Sequence, residues 1–275
     1  MTTTQRLASI FSDVDSDFKK MKEKGHAYDP YLYSFVKTAQ GILSNWDKEK
    51  YTENDIVLRG LSRVNQEALK ECISEDRIFY YIDTGYLQPG NKKEYHRIVK
   101  NNLQNIGDIV DRPTDRLVKL NWRYQKPISG DYILIVPPSK KVMGVYNADY
   151  DIWMGETIDK IKTVTNLPIK VRHKPIRRER VNNNPLWKDL KNAKCLVTYN
   201  SIAASEAMFY SKPAVALAPN AATSLCNSSL DDIPKNLYVP TKEEITKFIS
   251  HLSYCQFTQK EMDSGFAWKI VNEGG

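Results

Sequence analysis

Asn200 and Ser201 stand where a buried strand gives way to a helix, within Cys195–Pro219 (CLVTYNSIAASEAMFYSKPAVALAP). At such an elbow backbone N–H groups and the positive end of a helix face outward, which suits a phosphate. Ser201 is the expected N-cap of a helix over Ile202–Tyr210. The small Ala203, Ala204 and Ser205 would let a ligand approach the backbone closely, and Glu206 follows as an acceptor for ribose hydroxyls. The same pattern also describes an ordinary strand–helix–strand unit with a normal cap. Neither GxGxxG nor GxxxxGK[ST] occurs, so neither a dinucleotide nor a Walker-type site can be claimed.

A second group lies at Arg172–Arg180, RHKPIRRER, at the end of a strand expected within Pro168–Pro175. A solvated basic loop is the ordinary reading of such a run. Two functional readings compete with it. Guanidinium forks match the oxygens of a diphosphate, for which Arg172 and Lys174 are placed. A nucleic-acid backbone would be met by Arg177, Arg178 and Arg180, with salt-dependent binding. The chain carries 40 Lys and Arg against 33 Asp and Glu, a net charge of +7, and Lys19-Lys20, Lys92-Lys93 and Lys140-Lys141 add smaller basic clusters.

Several patterns lack the residues their chemistry needs. Asp13, Asp15 and Asp17 have the spacing of a calcium loop, but Phe18 stands where Gly is required and Lys24 where the bidentate Glu belongs. Asp149-Tyr150-Asp151 imitates a DxD metal motif just before a helix, where a loop and helix cap are expected. The four histidines (His26, His96, His173, His251) show neither metal nor triad spacing, and no GxSxG elbow occurs. The four cysteines are widely spaced, and Cys72 and Cys195 lie in apolar patterns that suit buried thiols. No metal site is expected.

The elements that must position these groups follow from hydrophobic patterning. Asp55–Leu61 reads as a strand, Arg63–Ile73 as an amphipathic helix, and Arg77–Ile82 as a strand ending in Asp83-Thr84-Gly85-Tyr86. Phe79-Tyr80-Tyr81 reads most simply as a buried strand, although an exposed Tyr could stack a base. Residues 1–45 read as helical and polar. Arg112–Gly130, with Pro113, Pro127, Ser129 and Gly130, lacks apolar periodicity and reads as the interdomain link. At 275 residues the chain is long for one core and comfortable for two small α/β domains. No apolar run is long enough to span a membrane. The start MTTTQRLASIF is too polar for a secretory signal, so a cytoplasmic location is expected.

Asn200-Ser201, Glu206-Ala207 and Lys212-Pro213-Ala214-Val215 resemble the nucleotide-sugar-binding half of GT-B glycosyltransferases, especially capsule-polysaccharide-type enzymes and related tailed-phage proteins. Those families carry Gly before the Lys-Pro to take the left-handed turn that ends the helix, where this chain has Ser211. Tyr132–Val136 with Pro137-Pro138-Ser139-Lys140 resembles the loop that opens their second domain. PIKVRHKP at Pro168–Pro175 resembles a strand with a basic end. Pro185-Leu186 with Asp189-Leu190, and YCQFTQKEMDSGFAW at Tyr254–Trp268, follow in the same order. Tyr95-His96-Arg97, Asn101 and Asn102 extend the likeness thinly into the first half. The resemblance implies an α/β fold with two Rossmann-like domains facing a cleft (GT-B-like) and an N-terminal helical extension. Residues 1–118 would form the acceptor side, 119–130 the linker and 131–275 the nucleotide-sugar domain, its last helix packing back on the first domain.

The implied activity is transfer of a hexose, glucose by resemblance, from a UDP-sugar to a hydroxyl acceptor. Ser139, Lys140, Arg172, Lys174, Asn200, Ser201, Ile202, Ala203 and Glu206 would hold UDP-glucose as donor substrate, with no tightly bound cofactor and no required metal. An inverting reaction needs a general base, expected at Asp83 with His96 behind it; a retaining one can use the diphosphate oxygens. In size, charge and setting the chain is similar to the T-even phage enzymes that glucosylate hydroxymethylcytosine in DNA, among them the small α-glucosyltransferases that add a second glucose. That resemblance implies double-stranded modified DNA as acceptor, with Arg177, Arg178 and Arg180 on its backbone. A polysaccharide-type glycosyltransferase or sugar-nucleotide epimerase without a DNA acceptor, and a non-enzymatic nucleic-acid-binding phage protein, are the alternatives.

Overall fold

The computed structural model describes residues 29–39, 55–87, 94–174 and 185–272. The chain divides into two compact units, Met1–Asn105 together with Tyr254–Gly275, and Ile106–Ser253. In chain order the first unit holds α1 (Pro30–Thr38), β1 (Ile56–Arg59), α2 (Arg63–Ser74), β2 (Phe79–Thr84) and β3 (His96–Lys100). The second holds α3 (Asp115–Lys119), β4 (Tyr132–Ile135), α4 (Lys140–Val145), α5 (Tyr150–Val164), β5 (Ile169–Val171), α6 (Leu186–Leu190), β6 (Ala193–Thr198), α7 (Ala203–Phe209), β7 (Ala214–Ala216) and α8 (Lys242–Ser253). The chain then returns to the first unit as β8 (Gln256–Phe257), α9 (Gln259–Asp263) and α10 (Phe266–Asn272).

Short polar side chains start the helices of the first unit. Asp29 accepts from the N–H groups of Tyr31 and Leu32, both at 3.1 Å, with Pro30 in the first turn. Ser62 accepts from Asn65 N–H at 3.1 Å, and Thr258 forms a capping box with Glu261. The sheet runs β1-β2-β3-β8, and only β1 and β2 are parallel. This corrects the expectation of a Rossmann-like first domain. The link from Thr84 to His96 is too short for the helical crossover that a parallel return requires, so β3 pairs antiparallel. One face, with Tyr80, Ile82, Ile98 and Phe257, packs on Phe35, Met262 and Ala267 from α1, α9 and α10. Trp268 stacks within 5.5 Å of Phe35 and 5.4 Å of Tyr80, and Tyr80 Oη donates to Asn272 at 2.7 Å.

The second unit carries the doubly wound pattern. Its sheet runs β5-β4-β6-β7 with every pair parallel. Ile133, Ile135, Cys195, Val197 and Val215 point to one face, where Met143, Trp153 and Ile161 cover them. From β4 the chain moves outward to β5, then crosses back to β6 on β4's other side, so the topology reverses between β4 and β6. The stretch expected as linker belongs to this unit: α3 lies in it, and Arg116, Leu117 and Leu120 are buried. Gly130 lies so near the start of β6 that an added Cβ would come within 2.2 Å of backbone atoms of Asn192 and Ala193. Beside it, the buried Lys212 ammonium donates to the carbonyls of Ile128 at 2.7 Å and Ala193 at 3.2 Å. The free thiols Cys72 and Cys195 are buried, which raises their pKa to about 11 and about 12.

Candidate functional site at the carboxyl edge of the parallel sheet

In open α/β sheets ligands sit beyond the carboxyl ends of the strands where the topology reverses. Here that point is flanked by the loops after β4 and β6, tied together by the Val136 N–H bond to Val197 O at 2.9 Å. After β4, Pro137 and Pro138 are buried, and Ser139 caps α4 by accepting from Val142 N–H at 3.4 Å. Ser139 therefore has a structural role. Lys140 points to solvent, pairs with Asp151 at 2.7 Å and lies 5.0 Å over the Tyr150 ring. Tyr150 Oη meets His173 Nδ1 at 3.0 Å. Asp149 caps α5 through Asp151 and Ile152 N–H, both at 2.9 Å, so the DxD-like stretch is the helix cap its position suggests.

The elbow after β6 is tighter than expected. Helix α7 begins at Ala203, one residue later than the sequence suggests, and spans seven residues with Ile202 in the cap position. Ser201 Oγ still accepts from Ala203 N–H at 3.2 Å, and Thr198 Oγ1 accepts from Ser201 N–H at 3.1 Å. Two of the N–H groups expected to face a phosphate are thus engaged within the elbow. Asn200 is buried beneath it at 2% exposure. Helix α7 ends in a left-handed residue, supplied by a non-glycine. Ser211 adopts φ of 54°, its N–H bonds to Met208 O at 2.9 Å, and Lys212 N–H bonds to Ala207 O at 2.8 Å. That pair of bonds is a Schellman ending.

Charge at this edge is organised by a residue that the sequence offered only as part of a motif. Lys170 of β5 and Arg172, the first residue after it, both donate to the buried Asp189 of α6. Burial would raise the Asp189 pKa, but the hydrogen bonds from Lys170 and Arg172 outweigh it and hold the carboxyl below its ordinary value. Glu206 behaves oppositely. Burial raises its pKa to about 7, only partly offset by the charge of Arg172. Its carboxylate makes no hydrogen bond or ion pair with the described residues. Arg172 is thus held by one carboxylate and acts electrostatically on a second that is unspent. Lys174 follows, exposed, in the segment beyond that strand. Nothing in the spacing of Lys170 and Arg172 singles out Asp189, since water can meet such cations as well as a carboxylate can.

Asp83 and His96 do not form a base and its partner. Asp83 pairs across the sheet with Arg97, and His96 with Thr84, so the two side chains project from opposite faces. Asp83 accepts from Tyr81 Oη at 2.9 Å, Thr84 N–H at 2.7 Å and Arg97 at 3.2 Å, with Arg59 at 3.8 Å. Both carboxylate oxygens are committed to holding the strand end. His96 is buried with its ring centroid 3.6 Å from that of Tyr31. Arg177, Arg178 and Arg180 lie outside the described residues, as do Asp13, Asp15 and Asp17. Among the described residues no group of His, Cys, Asp or Glu side chains could hold a metal ion, and no helix is long and apolar enough to cross a membrane.

No family model and no curated protein matches this sequence. Among solved structures, the chain is similar to the β-Kdo 2,7 transferase of Thermosulfurimonas dismutans KpsC, with a TM-score of 0.48, 13% identity, and coverage of 88% of this chain and 95% of that one. It is also similar to the β-Kdo 2,4 transferase of the same KpsC, with a TM-score of 0.47, 11% identity and coverage of 88% of both chains.

Proposed function

We propose that this chain is a nucleotide-sugar-dependent glycosyltransferase whose donor site is the carboxyl edge of the second sheet. The observation that carries the reading is the unspent Glu206 carboxylate beside Arg172, next to the β4–β6 reversal. A carboxylate with no partner among the described residues can accept hydrogen bonds from vicinal ribose hydroxyls. Arg172, oriented by Asp189, presents donors to a diphosphate. Phosphate oxygens would replace Ser201 Oγ as acceptor of the Ala203 N–H, since a serine hydroxyl can turn away. Negative charge developing on the departing diphosphate would then meet fixed donors, which is how a preorganised site lowers a transfer barrier.

UDP-glucose is the donor that the sequence resemblance favours, in a GT-B-type enzyme. The finer acceptor reading, glucosylated hydroxymethylcytosine in DNA, is supported by the resemblance to phage glucosyltransferases and by the net charge of +7. Thermal unfolding with UDP, UDP-glucose and a panel of other nucleotide sugars tests the donor site. A ligand bound only to the folded state at a hundred times its Kd stabilises by about 2.7 kcal/mol. A shift that disappears in Arg172→Ala supports the reading and justifies transfer assays on glucosylated and unmodified DNA. No shift with any nucleotide overturns it.

A further inference from the structure

The amino-terminal edge of the second sheet carries a separate cavity of about 350 Å³. It lies where Lys126 and Ile128 approach β4, where α6 ends, and where α7 ends at Tyr210 and Lys212. Its walls are mainly apolar. Ile128 and Trp187 are 64% and 43% exposed, high values for such side chains, and Tyr210 adds a second ring. Three lysines, Lys126, Lys191 and Lys212, also line the cavity, and among the described residues no acidic one does.

Lys212 makes this more than a surface hollow. It is only 4% exposed, and burial lowers its pKa. Its ammonium has three N–H donors. Two go to the carbonyls of Ile128 and Ala193, and the third has no acceptor among the described residues. A buried cation that keeps an N–H beside a cavity is a built anion-binding group, because an unmet donor in such a place is costly.

We propose that this cavity binds a small aryl anion, a carboxylate or phosphate carried on an aromatic ring. Flat rings favour contact with other aromatic faces, which Trp187 and Tyr210 supply. The volume sits near the lower limit for ligand pockets, which fits a single ring with its head group. The head group would take the remaining Lys212 N–H, with Lys126 and Lys191 adding charge.

Titration calorimetry with benzoate and phenyl phosphate tests this, with benzyl alcohol and inorganic phosphate as probes lacking the charge or the ring. Lys212 also holds the chain together, so the variants are Trp187→Ala and the double charge reversal Lys126→Glu/Lys191→Glu, all at solvent-facing side chains. Both aryl anions should bind, and each variant and each incomplete probe should weaken binding by about tenfold or more. No binding of either aryl anion at about 10 mM overturns the proposal, as does benzyl alcohol binding as tightly as benzoate, or affinity unchanged in both variants. Trp187, Lys126 and Lys191 lie outside the donor site, so phosphate binding that neither variant weakens belongs to that site and overturns this proposal, while loss in the variants leaves the donor reading untouched.

Discussion

Replacing Glu206 with Gln should change how the stability of the second unit depends on pH. In the folded chain burial raises the Glu206 pKa to about 7 from an ordinary 4.5. Between those values the folded state holds a proton that the unfolded state has released, so stability falls as pH rises through the interval. Below pH 4.5 both states are protonated and the group costs nothing. Above about pH 7 both are ionised and the full penalty applies. At 1.36 kcal/mol per pH unit, the interval corresponds to at most ~3 kcal/mol, an upper limit because the carboxylate is partly open to solvent. Glu206→Gln cannot ionise and loses no hydrogen bond to the described residues. The assay is urea unfolding of both proteins at several pH values from 4 to 8, since their difference cancels every other titrating group. The variant should match the parent near pH 4 and exceed it by up to ~3 kcal/mol at pH 8. Parallel profiles would refute the claim that Glu206 is a partly buried, unspent carboxylate. Bound nucleotide sugar should narrow the gap, because ribose hydroxyls would stabilise the ionised form.

Ser211→Gly should stabilise the chain by about 0.5–1 kcal/mol. The left-handed conformation costs a non-glycine residue about 1–2 kcal/mol, against a loss of about 0.4–1 kcal/mol from the freer unfolded chain. The buried Ser211 Oγ makes no hydrogen bond among the described residues, so little else is lost; a lowered Tm would show that the hydroxyl has a partner. Gly130→Ala should destabilise by about 3 kcal/mol or more, since its Cβ would press on the backbone of Asn192 and Ala193 at 2.2 Å, where no side chain can rotate aside. Equilibrium unfolding checks this, and a variant as stable as the parent would mean that Gly130 does not lie against β6.

Much of the second unit could be read from residue order. Alternating short apolar runs, polar elbows and helix signals led to β4, β6, α7 and β7, because each depends on local periodicity and turn chemistry. Asp149 as a cap and Cys195 as a buried thiol are of the same kind. Elbow residues Asn200, Ser201 and Glu206 could be picked out because a strand-to-helix turn is encoded within a few positions. Register and pairing were not encoded in that way. Whether β3 runs parallel or antiparallel to β2 depends on a chain link and on distant β8, and that choice sends Asp83 and His96 to opposite faces. The fate of each charge was also a tertiary matter. Asp189 is silent in the sequence until folding brings α6 over Lys170 and Arg172, and Glu206 becomes a high-pKa carboxylate because the fold buries it, with the charge of Arg172 offsetting that only in part. Backbone conformation follows near neighbours, whereas burial and ionisation follow whatever the fold brings alongside.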